Sequence, residues 1–150
     1  MNQIAAIALF GALCAPAWAG CYIYGDSIAQ GVSSYLPECR ADTKVGISSS
    51  AAIKKWGFDL LPGETTLVLS LGSNDTSAKS TLKVLNRILA KSKGRSVYAI
   101  LPNEPTRHEA LKKGLQGKAK LLTIEQVSSD DIHPTKKGYQ QLAGTIRVYR

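Results

Sequence analysis

The chain is defined first by what it lacks. No apolar run is long enough to cross a bilayer: the longest, Ile4 to Ala15, falls well short of the roughly 20 residues a membrane-spanning helix needs. There is no internal repeat, no low-complexity tract and no Pro-, Gly- or Ser-rich linker, which excludes solenoids and strings of modules. With 150 residues, one domain is expected. Cysteine is scarce, at three residues, and shows no zinc-site spacing. No aromatic RNA-binding signature accompanies the basic residues, so no nucleic acid partner is expected. Acidic side chains are also few, 11 against 19 Lys and Arg, which leaves a net charge of +8.

What is present begins with residues 1–19. Ile4 to Ala15 carries no charge and is followed by Ala17-Trp18-Ala19, a small-x-small cleavage site. The pattern is that of a secretory signal peptide, although its first residues include no Lys or Arg. A buried N-terminal helix is the competing reading. Cleavage after Ala19 leaves a domain of residues 20–150, exported to a secreted or periplasmic location. Trp18-Ala19-Gly20-Cys21 also resembles a lipoprotein processing site, with Trp where Leu is usual. An acyl chain on Cys21 would lie directly against the first strand, so plain export is preferred. Cys14 departs with the leader, and Cys21 and Cys39 remain as an even pair. Each precedes a predicted strand, so a disulfide is reasonable if those strands are parallel neighbours; two free thiols are the alternative. The positive charge falls on 79–120 and 136–150. It suits an anionic envelope polymer or membrane surface, and equally a well-solvated surface. A monomer is expected.

Elements alternate along the chain. Strands are predicted at 21–25, at Thr43 to Ile47, at Thr66 to Leu71, at Ser96 to Leu101 and at Lys120 to Ile124. Helices are predicted at 28–36, from the Ser48-Ser49-Ser50 cap to Trp56, and at 77–92, 105–116 and 136–148. The third strand is nearly continuously apolar, as in a parallel sheet covered on both faces. This pattern predicts an α/β fold, a three-layer α/β/α sandwich with a five-stranded parallel sheet. In the doubly wound order 2-1-3-4-5, the first and third strands flank the point where the sheet changes direction.

Three polar residues follow strand ends. Ser27 stands at the Gly25-Asp26-Ser27 corner after the first strand, Asn74 after the third and His133 after the fifth. Singly, each has a plainer role: Asp26 or Ser27 as a helix N-cap, Asn74 and His133 as turn residues. Together they supply what acyl transfer needs, namely a hydroxyl nucleophile, an imidazole base and donors for an oxyanion. Asp130 lies three residues before His133, so one tight turn brings its carboxylate to the imidazole. Asp131 is adjacent, and a swap of roles between the two acids stays open. His108 reads as a surface residue, Trp56 and Tyr24 as core or pocket wall, and Asp26 as a brace for the turn.

These residues fall into four blocks that resemble the SGNH (GDSL-like) hydrolase family. Gly25-Asp26-Ser27 matches the nucleophile block, and Gly46 the block that lends a backbone N–H to the oxyanion hole. Gly72-Ser73-Asn74-Asp75 matches G-x-N-D, and Asp130-Asp131-Ile132-His133 matches D-x-x-H. The blocks occur in the family's order across nearly all of residues 20–150. The resemblance implies a flavodoxin-like SGNH fold with Ser27 as nucleophile, His133 as base and acid, and Asp130 orienting it. Ser27, Gly46 and Asn74 would form the oxyanion hole, and no metal or organic cofactor is implied. The domain is short for the family, which argues against a bulky, deep acyl pocket. The expected activity is hydrolysis of a carboxylic ester through an acyl-serine, on an acetylated glycan or another small-acyl ester. A lysophospholipase or thioesterase acting on longer chains (a lipid ester) is the second reading. A non-catalytic envelope-binding module is the third.

Overall fold

A computed structural model of the chain describes residues 20–148. The expected signal peptide, with its Ala17-Trp18-Ala19 cleavage site, lies outside these residues. The described chain alternates strand and helix: β1 (Gly20–Gly25), α1 (Ser27–Ser33), β2 (Arg40–Thr43), α2 (Ser49–Trp56), β3 (Glu64–Ser70), α3 (Ala78–Lys91), β4 (Ser96–Ile100), α4 (Pro105–Leu115), β5 (Lys120–Leu122) and α5 (Lys136–Val148). The five strands form one parallel sheet in the order β2-β1-β3-β4-β5.

Alternation along the central strands builds two cores. Tyr22 and Tyr24 of β1 and Leu67 and Leu69 of β3 join Ala52, Val84, Leu85, Ile88 and Leu111 on one face, under α2, α3 and α4. Cys21, Ile23 and Val68 point the other way and pack with Ile28, Val32, Leu142 and Ile146 of α1 and α5. Side chains two apart share a sheet face, so a strand covered on both sides must be apolar at nearly every position. The helices start where a side chain can satisfy their free N–H groups. Ser48 accepts from Ala51, Ser77 from Ser80, and Glu104 from Thr106 and Arg107 with Pro105 just inside the helix.

The second strand differs from the sequence reading. It runs over Arg40–Thr43 rather than Thr43 to Ile47. The apolar pair Val45 and Ile47 suggested a strand, but Gly46 has φ +72° and breaks extension there. The polar segment before it pairs with β1 because its side chains have partners at the sheet edge. Arg40 donates to Glu64 at 2.6 and 2.8 Å, and its guanidinium lies 3.5 Å from the Tyr22 ring centre. The Tyr22 hydroxyl donates to Asp42 at 2.6 Å. Helix α1 closes at Ser33, short of Pro37, and β5 is an edge strand of only three residues. Cys21 and Cys39 form a disulfide with Cα atoms 4.7 Å apart, joining β1 to the lead-in of β2. Among the described residues no helix is long and apolar enough to cross a membrane.

Candidate active site

The strand ends bring the site together. At Gly25 the backbone has φ +153°, and a Cβ there would run into the Ser70 carbonyl of β3. Only glycine fits so close an approach. The chain then turns into α1, with Asp26 as N-cap and Ser27 as the first helical residue. Asp26 is fully buried. Its Oδ1 accepts from the Ile28 N–H at 3.0 Å and the Ser70 hydroxyl at 3.1 Å. Its Oδ2 has no partner among the described residues. Burial raises this carboxyl above its ordinary value despite those bonds.

Ser27 Oγ lies 2.8 Å from His133 Nε2. On the far side of the ring, His133 Nδ1 is 2.6 Å from Asp130 Oδ2. With Nδ1–H donating to the carboxylate, the Nε2 lone pair accepts the Ser27 hydroxyl. The 128–134 loop is pinned as a tight reversal: Ser128 N–H donates to the His133 carbonyl at 2.7 Å, and Val127 pairs with Pro134. Asp130 Oδ1 accepts from the Ser128 hydroxyl, the Ile132 N–H and the His133 N–H, at 2.7 to 2.9 Å. The His133 N–H, the Ser128 hydroxyl, the imidazole and the Ile132 N–H together hold the Asp130 carboxyl far below the usual carboxylate range. The dyad is nonetheless open, with side chains 36% (His133) and 47% (Asp130) exposed. Asp131 has φ 58°; the tight turn leaves its side chain outside, and its carbonyl accepts from Asn103 at 2.9 Å. Of the two adjacent acids, Asp130 is therefore the one beside the imidazole.

Asn74 stands on the loop after β3 and donates from Nδ2 to the Ile47 carbonyl at 3.2 Å. That bond ties it to the loop carrying Gly46. Two residues to which the sequence analysis assigned no role hold this arrangement. Asp75 is buried and accepts from the Ser49 N–H (2.8 Å), the Ser49 hydroxyl (2.5 Å) and the Thr81 hydroxyl. It thereby clamps the start of α2 to the start of α3. Arg107 of α4 donates from one nitrogen to the carbonyls of Gly72 (2.8 Å) and Ser73 (3.1 Å). The signal for Asp75 was its place in the fourth position of G-x-N-D; Arg107 carried none, since its partners are backbone atoms. His108 is half-buried rather than on the surface, with Nδ1–H donating to the Pro102 carbonyl at 3.1 Å. Tyr24 is core and donates its hydroxyl to the Gly57 carbonyl at 2.9 Å, while Trp56 packs edge-on against it. A cavity of about 220 Å³ opens beside the site between Ser73, Pro102, Arg107 and Ile132.

By sequence, no family model and no curated protein matches the chain. Solved structures do. One is a carbohydrate esterase family 2 enzyme with a carbohydrate-binding domain from Myceliophthora fergusii, with 15% identity and a TM-score of 0.59. The match covers 87% of this chain and 66% of that one, so the chain spans just under two thirds of the esterase's length. Another is the C-terminal catalytic domain of peptidoglycan O-acetyltransferase A from Streptococcus pneumoniae, carrying a methylsulfonyl adduct. There the identity is 16% and the TM-score 0.56, over 86% of this chain and 90% of that one. At such identities the likeness is one of fold. With its parallel sheet in the order 2-1-3-4-5 flanked by helices, the chain shares the α/β fold of these two structures.

Proposed function

We propose that the protein is a serine esterase that removes small acyl groups, acetyl above all, from an exported glycan. The observation that carries this reading is the continuous hydrogen-bonded chain from Ser27 through His133 to Asp130. In the reaction His133 Nε2 takes the Ser27 proton as Oγ adds to the ester carbonyl. Asp130, kept ionised, stabilises the imidazolium so formed. The carbonyl oxygen, now an oxyanion, is received by the Ser27 and Gly46 N–H groups and the second N–H of the Asn74 amide. His133 gives its proton to the departing alcohol, leaving acyl-Ser27. A water, deprotonated by the same nitrogen, releases the carboxylic acid and regenerates the hydroxyl.

A small acyl group is favoured by the small cavity next to Ser73 and Ile132, the chain neighbours of Asn74 and His133. A cavity of 220 Å³ lies below the roughly 300–1,000 Å³ of sites that enclose larger ligands, which weighs against the long-chain lipase and thioesterase readings. The two structural neighbours are named as a carbohydrate esterase and a peptidoglycan O-acetyltransferase, which supports an acylated glycan as substrate. The disulfide supports an oxidising, exported location after loss of residues 1–19. Purified protein is expected to hydrolyse p-nitrophenyl acetate, and Ser27→Ala to lose that activity while keeping its fold by circular dichroism. Equal rates for the two proteins would sink the proposal, and a rate maximum at acyl chains of eight carbons or more would transfer it to lipid esters.

A further inference from the structure

The segment 76–103 contains no Asp or Glu. It includes α3, whose outward face carries Lys79, Lys83 and Arg87 at four-residue intervals, all exposed. On a helix such spacing sets the charges in one row, here about 12 Å from first to last. Like charges at that spacing disfavour the helix, and none of the three has a carboxylate within 4 Å among the described residues. The acids of the adjacent α4 face their own helix: Glu109 lies 3.7 Å from Lys112 and Glu104 3.9 Å from Arg107. Helix α3 lies between α2 and α4, so the row is the central ridge of that face. It begins in the first turn of α3, whose Thr81 bonds to Asp75, the neighbour of Asn74. The row therefore leads away from the mouth of the candidate site.

We propose that the outer face of α3 is a binding rail for a linear anionic polysaccharide, the polymer whose esters are presented to Ser27. The proposal rests on the esterase reading for the second half of that statement only. The chemistry of the face selects the partner. A helix that lies in a membrane surface turns its apolar side to the lipid, whereas Val84, Leu85 and Ile88 of α3 are buried in the core. The large apolar side chains exposed among the described residues, Val45, Leu61 and Ile132, lie elsewhere. Single-stranded nucleic acid is held by stacking on aromatics, and α3 has none. What remains is an open row of hydrated point charges, mostly Lys, which matches a hydrated chain carrying carboxylates at intervals.

The test is fluorescence anisotropy with labelled oligogalacturonate at about 0.01 M salt, where the Debye length is about 30 Å. Duplex DNA, phosphatidylglycerol vesicles and neutral dextran serve as comparison ligands. The wild-type protein is expected to bind oligogalacturonate, to ignore dextran, and to lose affinity as salt rises. K83E/R87E is expected to weaken binding about tenfold or more. K136E/K137E, the same change in net charge on α5 across the sheet, is expected to weaken it several-fold less. Equal losses in the two variants, no binding by the wild type, or tighter α3-dependent binding to vesicles or DNA would each overturn the proposal. Wild-type hydrolysis of p-nitrophenyl acetate separates the two readings. An active protein that does not bind oligogalacturonate fails the rail alone, and an inactive protein that binds through α3 fails the esterase alone.

Discussion

Asp75→Ala tests whether the site is held together by its buried clamp. The wild-type carboxylate satisfies three donors: the Ser49 N–H, the Ser49 hydroxyl and the Thr81 hydroxyl. Both Ser49 and Thr81 are fully buried, so water cannot replace the lost acceptor at either position. The Thr81 hydroxyl has a second acceptor in the Ser77 carbonyl, 3.2 Å away. Two donors are thus left unpaired in the Ala variant, at about 1–3 kcal/mol each. The expected destabilisation is about 2–6 kcal/mol, a large part of a typical domain's stability of about 5–15 kcal/mol. Asp75→Asn keeps one carbonyl oxygen for the Ser49 N–H, and both hydroxyls can rotate to accept from its amide. Its expected cost is about 1 kcal/mol. Urea unfolding followed by Trp56 fluorescence, with the disulfide intact, reads the difference at unchanged m-value. The clamp also sets the spacing between the loops bearing Gly46 and Asn74, so kcat on p-nitrophenyl acetate is expected to fall about 10²-fold in the Ala variant. An Ala variant within about 0.5 kcal/mol of wild type would refute this account of the buried network.

Other consequences are as direct. Asn74→Ala removes one donor of the proposed oxyanion hole and is expected to cost about 10²–10³ in kcat, with little change in urea midpoint; unchanged kcat would remove Asn74 from that hole. Asp26 is held above its ordinary pKa in the folded chain, so its ionisation opposes folding, and that penalty is absent in acid and grows as pH rises through and beyond the ordinary carboxylate range. Asp26→Asn keeps the Oδ1 cap and cannot ionise. Its stability relative to wild type is therefore expected to rise from pH 4 to pH 7 in parallel urea titrations, and a flat difference would contradict the burial argument. Removing the disulfide in Cys21→Ala/Cys39→Ala opens a loop of 18 residues in sequence separation, with an expected loss of about 3 kcal/mol. That corresponds to a fall in Tm on the order of 10 °C by differential scanning calorimetry.

Much of this protein was legible in its sequence because the relevant physics is local. Continuous apolar runs at Tyr22-Ile23-Tyr24 and Leu67-Val68-Leu69 had no way to be satisfied except in a sheet covered on both faces, and the alternation with amphipathic helices left a doubly wound parallel order as the natural solution. Strand ends of such a sheet converge, which is why Ser27, Asn74 and His133 could be expected in one crevice from their positions alone. The second strand was misplaced because its stability is not local: Arg40 and Asp42 are strand residues only by virtue of Glu64 and Tyr22, distant in the chain. His108 was misjudged for the same reason, its partner being a backbone carbonyl that no side-chain pattern reveals.

What the sequence determined by itself was the set of elements, their order and the residue types capable of acyl transfer, since periodicity and turn chemistry act over a few residues. Tertiary structure decided the rest. It selected Asp130 over Asp131 through a turn closed by Ser128 and His133, recruited Asp75 and Arg107 to tie the loops of the site to distant elements, and set Lys79, Lys83 and Arg87 of α3 in one exposed row. Those choices depend on which distant atoms meet, and only a folded chain brings them together.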